Sequence, residues 1–375
     1  MIKTYKIRLF PTKEQEELMW KHIGCCRFIW NWGLEEQQKE YAKDGKKLSC
    51  FDLCKKLTAL KQDSSYTWLN EVSNATLQII LRDLDKAYVK FFNHTAGFPK
   101  YKSKKKSKNS FPVRNNTTYF IDDVVNIIKI GKVKYRTTYE IPQGRDVKIC
   151  NPRICLVNHK WILTIRLNRE NQAVDLTNKL MGIDLGVKDL CNVAFGDENI
   201  IIHNINKTSS MKQKQKKLKR LQRKASRKYR QNGNYKKTNN ILKTEEKIRE
   251  LFYHISMMRQ NYIHQTTHKL VALTPKRVVM EDLNVSGMIK NRHLSKAIQD
   301  QCFYEFIHQM KYKCEWNGIE FIQADRFFPS SKTCSCCGNI KADLKLSDRV
   351  YRCPDCGLSI DRDYNAAINL MKYVA

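Results

Sequence analysis

The chain has 375 residues, enough for two or three domains with cores of their own, and sets 69 Lys and Arg against 37 Asp and Glu, a formal charge of +32. So large an excess points to a polyanion, since each phosphate neutralised releases a condensed counterion; a membrane surface is the rival, but no run of eighteen apolar residues exists to span one. Fourteen cysteines in a chain this long read as reduced thiols with one metal site, not as the disulfide frame of a small secreted domain.

Tyr5, Ile7 and Leu9 alternate with Lys6 and Arg8, the period of a half-buried strand. The same opening, MIKTYKIRLFP, has no apolar core of signal-peptide length, so a soluble, cytoplasmic protein is expected. Pro11 ends the strand, and Thr12 with Gln15 forms a capping box that predicts a helix through Trp30. Leu77, Leu81, Leu84, Tyr88 and Phe91 make the apolar stripe of a second helix. Its other face carries Gln78, Arg82 and Lys86, and Asn74, Gln78 and Arg82 recur at four-residue steps. Such a face is either solvated or meets nucleic acid, where amide and guanidinium groups suit adenine and guanine edges.

After Phe92, FPKYKSKKKSKNSF reads as a lysine-rich loop, and KVKYRTTYEI and KWILTIRLN as antiparallel strands. The first strand is expected in the same small barrel or sheet, with residues 11–91 a helical insertion. Residues 207–249 hold seventeen Lys and Arg against Glu245 and Glu246 alone. A helical hairpin over 207–272, turning at NGN, is the natural reading. A charge run is often only a solvated face. Here the charges cannot neutralise one another, and Lys217, Arg220, Arg223, Lys224 and Arg227 are candidates for a phosphate backbone.

Cys334, Cys337, Cys353 and Cys356 form two CxxC pairs, each followed by glycine, Gly338 and Gly357. Two such knuckles deliver four thiolates tetrahedrally to a structural Zn2+ and leave no open position for chemistry; disulfides or buried free thiols are the alternatives. Cys336 is the odd thiol within the first pair.

Beside this knuckle stand Asp361 and Asp363, at the edge of an apolar helix. Asp184 lies in the apolar strand of LMGIDLGVKDLCNVAF, and PKRVVMEDLNV ends in Glu281 and Asp282. A carboxylate in an apolar strand is costly unless it is paired or holds metal. Three of them, from two strands and a helix start, can hold two Mg2+ ions about 4 Å apart for in-line attack on a phosphodiester.

GIDLGVK, VVMEDLNV, SSKTCSCCG and YRCPDCGLSIDRDYNAAINL, with YKIRLFPTKEQEE, LRDLDKAYVKFF and FPKYKSKK, resemble the TnpB family over essentially the whole chain. Those proteins are transposon-encoded, RNA-guided DNA endonucleases related to the type V CRISPR effectors. The resemblance implies an α+β multidomain fold. A β-barrel (1–10 and 92–178) would carry a helical recognition insertion (11–91). An RNase H-like, RuvC-type α/β nuclease domain (179–328 and 358–375) would include the basic hairpin and an inserted zinc ribbon (329–357). By motif match the catalytic carboxylates are Asp184, Glu281 and Asp363, since DYNAA supplies the family's Asp-x-Asn-Ala; Asp361 remains a supporting carboxylate. The partners implied are a guide RNA from the transposon end and double-stranded target DNA, in a bacterial or archaeal cell near the nucleoid. Arg349, Arg352 and Arg362 would guide a DNA strand towards the cleft. An RNA-guided repressor without cleavage is one rival, though such proteins lose acidic residues kept here. A DNA transposase is another; nothing in the sequence reads as the helix-turn-helix it would need. A zinc-ribbon RNA-binding protein would leave the buried carboxylates unexplained.

Overall fold

The structure, a computed structural model, describes residues 2–168, 174–233, 237–345 and 348–374, which fall into two units, Met1–Glu170 and Asn171–Ala375.

In the first unit, β1 (Ile2–Phe10) turns Ile7 and Leu9 inward and its charged residues outward, as the alternation requires. Thr12 and Gln15 then cap one another, each backbone amide donating to the other's side chain at 3.1 and 3.3 Å, and α1 (Lys13–Asp44) begins. This helix runs well past Trp30. Leu34 and Gln37 continue its buried face, and Gln37 grips Leu48 by both amide atoms, so burial carries the helix on to Gly45. Next come α2 (Cys50–Leu60) and α3 (Asn74–Phe92), the latter burying Leu77, Leu81, Leu84 and Tyr88 as the stripe predicts.

The strands β2 (Ser110–Pro112), β3 (Tyr119–Ile121), β4 (Val124–Ile127), β5 (Gly131–Arg136), β6 (Ile149–Val157) and β7 (Lys160–Asn168) complete one antiparallel sheet, ordered β2-β6-β7-β1-β5-β4-β3. β1 lies at its centre, paired with β7 and β5. The sheet is a half-barrel, open at β2 and β3. One apolar core joins Ile7 of the sheet to Ile23 of α1 and Leu81 of α3, so the helices cover the sheet as part of the same packed body.

The second unit is built on β8 (Leu180–Leu185), β9 (Cys191–Phe195) and β10 (Glu198–Ile202), an antiparallel meander. The helices α4 (Ser209–Gln231) and α5 (Asn239–Val271) pack as the expected basic hairpin; of its NGN turn, Asn234 lies outside the described residues. β11 (Arg277–Glu281) pairs parallel with β8. After α6 (Val285–Lys290), α7 (Ser295–Gln301) and α8 (Phe303–Trp316), β12 (Glu320–Ala324) pairs parallel with β11, giving the order β10-β9-β8-β11-β12. The hairpin β13 (Val350–Arg352) and β14 (Ser359–Asp361) leads directly into α9 (Arg362–Met371).

Both faces of this sheet are covered, and strand periodicity sorts the residues between them. Met181, Ile183, Val278 and Met280 pack into a core with Ile263 and Leu270 of α5 and Phe306 and Met310 of α8. Val279 faces the other way, with Leu370 of α9. Gly182 belongs to that second face: a Cβ there would overlap Ala367 O and Met371 N, so α9 lies backbone to backbone against β8.

Candidate functional site

Asp184 and Glu281 share the α9 face. β8 and β11 run parallel in register, Val279 beside Gly182, and Asp184 and Glu281 stand two residues further along each strand. Side chains alternate, so both follow the parity of Gly182 and Val279 towards the helix that carries Asp363. The electrostatics agree. Asp184 has its carboxyl raised well above the ordinary range, first by burial, then by the negative charges of Glu281 and Asp363, with Arg362 opposing and Asp361 adding a smaller push. Glu281 accepts a hydrogen bond from the Ser330 hydroxyl. Asp363 accepts from Arg362 Nε and Nη2 at 3.1 and 2.8 Å and faces Arg349 Nη1 at 3.9 Å.

The neighbouring acids are spent elsewhere. Asp361 is the N-cap of α9, its Oδ1 accepting from the amides of Asp363 and Tyr364 at 2.9 and 3.1 Å, and it is exposed. Asp282 is paired with Arg326. Of the three arginines expected to face a DNA strand, Arg349 and Arg362 turn towards Asp363, and Arg352 is exposed.

The four knuckle thiols lie within 4.8 Å of one another, with Cys334 Sγ to Cys356 Sγ at 3.6 Å and Cys337 Sγ to Cys353 Sγ at 3.5 Å. Four sulfurs tetrahedrally placed 2.3 Å from zinc would stand about 3.8 Å apart, so the donor set fits a closed Zn2+ site. No disulfide forms. Gly338 and Gly357 take the left-handed φ of 80° and 73° that the knuckle turns need. The thiols share their charge unevenly: burial pushes Cys334 up but the amides of Cys337 and Cys336 outweigh it and bring it down to about 7, whereas Cys356, despite the Leu358 amide, is pushed up to about 12 by burial and the neighbouring thiols. Cys336 is exposed. Among the described residues these thiols are the one metal-capable group whose ligand atoms come that close; the carboxylates stand further apart, with Arg362 close to them.

Sequence reasoning missed what joins knuckle to carboxylates. Asn365 of α9 accepts from Ser335 N at 3.0 Å and donates to Thr333 O at 2.7 Å; Asn369 donates to Ser330 O and Thr333 O at 2.8 and 2.6 Å. Lys372 Nζ adds a bond to Ser335 O at 2.7 Å. The signal was present: Asn365 and Asn369 are i,i+4 partners on an otherwise apolar helix face. Ser330 opens the SSKTCSCCG stretch, but nothing local there marks it as the partner of Glu281.

In the first unit, Gln78 and Arg82 line a groove of about 700 Å³ with Arg114, Asn115, Asn151 and Arg166. Asn74 does not line it; its Oδ1 accepts from Lys61 Nζ at 3.3 Å. Lys217, Arg220, Arg223, Lys224 and Arg227 are all exposed on α4, and Arg223 and Arg227 flank a shallow groove with Lys219 and Arg230.

Three family models match in succession: "Helix-turn-helix domain" over residues 1–46, "Probable transposase" over 163–292, and "Cas12f1-like, TNB domain" over 303–370. The first carries a helix-turn-helix name, but over those residues this chain folds as one strand and one unbroken helix, in keeping with the expectation that it holds no such reader. The chain is 29% identical over 374 residues (98% of this chain, 88% of the relative) to a candidate RNA-guided DNA endonuclease of Streptomyces pristinaespiralis. It is 28% identical over 394 residues (99% and 92%) to the candidate RNA-guided DNA endonuclease InsQ of Escherichia coli K12. Among solved structures it resembles a Cas12f1–sgRNA–target DNA complex, with a TM-score of 0.62 at 15% identity, covering 99% of this chain and 98% of that one. The chain therefore has an α+β fold like that of the Cas12f1 complex, with a four-cysteine cluster inside the stretch that the TNB-domain model matches. The curated relatives it matches over nearly its whole length include two candidate RNA-guided DNA endonucleases and, at 22% identity over 389 residues, a TnpB-like protein of Acanthamoeba polyphaga mimivirus.

Proposed function

We propose that this protein is a transposon-associated, RNA-guided DNA endonuclease whose second unit hydrolyses phosphodiesters in the manner of a RuvC-type nuclease. The observation that carries the reading is that Asp184, Glu281 and Asp363 come from two adjacent parallel strands and one helix packed on the same face, near enough for the charges of Glu281 and Asp363 to act on Asp184. The sheet order, a meander extended by two parallel strands, supports an RNase H-like domain over 179–328 and 358–375, with the ribbon over 329–357. In the first unit the half-barrel strands of 1–10 and 92–178 serve as the barrel domain, and 11–91 as the recognition segment.

Asp184, Glu281 and Asp363 would hold Mg2+, expected as two ions. Magnesium suits carboxylate oxygens, activates water at neutral pH and neutralises charge on the leaving oxygen. Burial raises Asp184 most, and the crowding of negative charge that adds to it is what a cation relieves. Ser330 orients Glu281 by its hydrogen bond, while Arg362 and Arg349 hold Asp363 by charge. The zinc knuckle folds the segment that Asn365 and Asn369 fasten to α9, and so positions the carboxylates without reacting. A guide RNA would choose the target by base pairing, as in other RNA-guided effectors. The basic face of α4 suits the backbone of the guide or heteroduplex, and the groove at Gln78 and Arg82 suits a flanking DNA motif.

Asp184→Ala tests this. Cleavage of a guide-matched duplex is expected to vanish while RNA and DNA binding, by mobility shift, stays within about twofold of wild type. Loss of both in a folded protein would count against the assignment. Retained cleavage would end it.

A further inference from the structure

The first unit contains a second basic feature, distinct from the groove at Gln78 and Arg82. A cavity of about 290 Å³ opens between α1, the lysine-rich loop and the sheet. Arg27, Lys102, Lys108 and Arg153 line it with Ser107 and Ser110; among the described residues no carboxylate lines it, although the charge of Asp83 reaches Lys102. Arg27 Nη1 is shut away from solvent with no hydrogen-bond partner. A buried guanidinium N–H left unpaired is costly, and few survive in a folded protein without a reason.

The cavity is built rather than incidental. Asn31 clamps the loop at Lys102, accepting from its amide at 2.7 Å and donating to its carbonyl at 3.0 Å, and Trp30 Nε1 donates to Lys100 O at 3.0 Å. The Lys102 ammonium is thereby seated 3.4 Å from the centre of the Trp30 ring. Ser107 Oγ accepts from Ser103 N at 3.0 Å, which leaves its own proton to donate. Arg153 pairs with the Asp83 carboxylate and also lines the groove at Gln78 and Arg82, so the two features adjoin.

We propose that this cavity is a phosphate subsite: Arg27, Lys102 and Lys108 receive one backbone phosphodiester of a nucleic-acid strand that continues into the adjoining groove. The proposal rests on the nucleic-acid-binding function argued above and adds to it a fixed register point, since a phosphate held by preset donors positions a strand that base contacts then read. Burial pushes the Lys102 ammonium down to about 8, a cost that a bound anion removes.

The test uses the full chain, with a random-sequence RNA and a random-sequence DNA duplex as separate probes over a series of salt concentrations. Arg27→Met is expected to weaken binding to one probe by about tenfold and to lower its salt slope by about one, the signature of a single lost phosphate contact. Arg27→Lys is expected to restore most of the slope. Whichever probe responds identifies the strand. Without nucleic acid, Arg27→Met is expected to unfold at the same temperature as wild type or higher, because an unpaired donor has gone; inorganic phosphate at matched ionic strength should raise the Tm of the wild type and not of the variant. An unchanged slope with both probes, or a lower Tm with no phosphate response, overturns the subsite and makes Arg27 a packing residue. Wild type that binds neither probe overturns the functional reading as well.

Discussion

Replacing Gly182 by Ala adds a single methyl group, yet the structure gives it nowhere to go. The new carbon would lie 2.9 Å from Met371 Cα and overlap the Ala367 carbonyl and the Met371 amide. The tightest clash is with the Ala367 carbonyl oxygen at 2.0 Å, and since a Cβ essentially never sits closer than about 3.0 Å to another atom, α9 must retreat by at least about 1 Å. All three obstacles are backbone atoms and cannot rotate aside. Overpacking of this kind costs about 1–3 kcal/mol, and a unit of this size loses about 2–4 °C of Tm per kcal/mol, so a fall of roughly 2–12 °C is expected. The consequence for activity is larger in proportion. α9 carries Asp363, and misplacing a reacting group by about 1 Å costs on the order of 100-fold in rate. Calorimetry and single-turnover cleavage on the same preparation would measure both, with zinc content as the control for an intact knuckle. A Tm within about 1 °C of wild type together with cleavage within about threefold would refute the backbone-to-backbone seating of α9 on β8, and with it the argument that Gly182 sets the position of Asp363.

Cys353→Ser should reduce bound zinc from about one per chain to near zero and depress cleavage through the misplaced α9; unchanged metal content by mass spectrometry would rule out the four-thiolate site. Asp361→Asn should be mild, because Asn caps a helix about as well as Asp, whereas Asp363→Asn should abolish cleavage; the reverse order in a paired assay would exchange their roles. Lys313 is buried between α8 and α5, donating to His264 O and Thr267 Oγ1 at 2.9 and 2.7 Å, and burial holds its ammonium down to about 8. The folded value lies below the unfolded one of about 10.4, so the unfolded chain holds the extra proton in that window and stability tied to Lys313 rises with pH through it. Relative to Lys313→Met, wild type should therefore gain about 2 kcal/mol between pH 7.5 and pH 10 in urea unfolding. A difference independent of pH would show that the site does not penalise the charge.

The sequence determined whatever is decided within a few residues. Alternation marked β1, the Thr12–Gln15 pair began α1, the i,i+4 stripe drew α3, and two CxxC pairs with their glycines specified a four-thiolate clip. It also exposed Asp184 and Glu281 as carboxylates too expensive for apolar strands without a purpose. Only the tertiary structure decided how each acid is held. Asp361 and Asp363, told apart in the sequence by the DYNAA resemblance alone, differ physically once a helix begins between them: Asp361 caps the helix amides, and Asp363 lies against Arg362. Likewise, nothing local tells that β1 pairs with strands more than a hundred residues away, that α1 outruns Trp30, or that Gly182 is the seat of α9. These depend on what is buried against what, and burial is a property of distant segments brought together, whereas caps, turns and periodicities are satisfied by a residue's own neighbours.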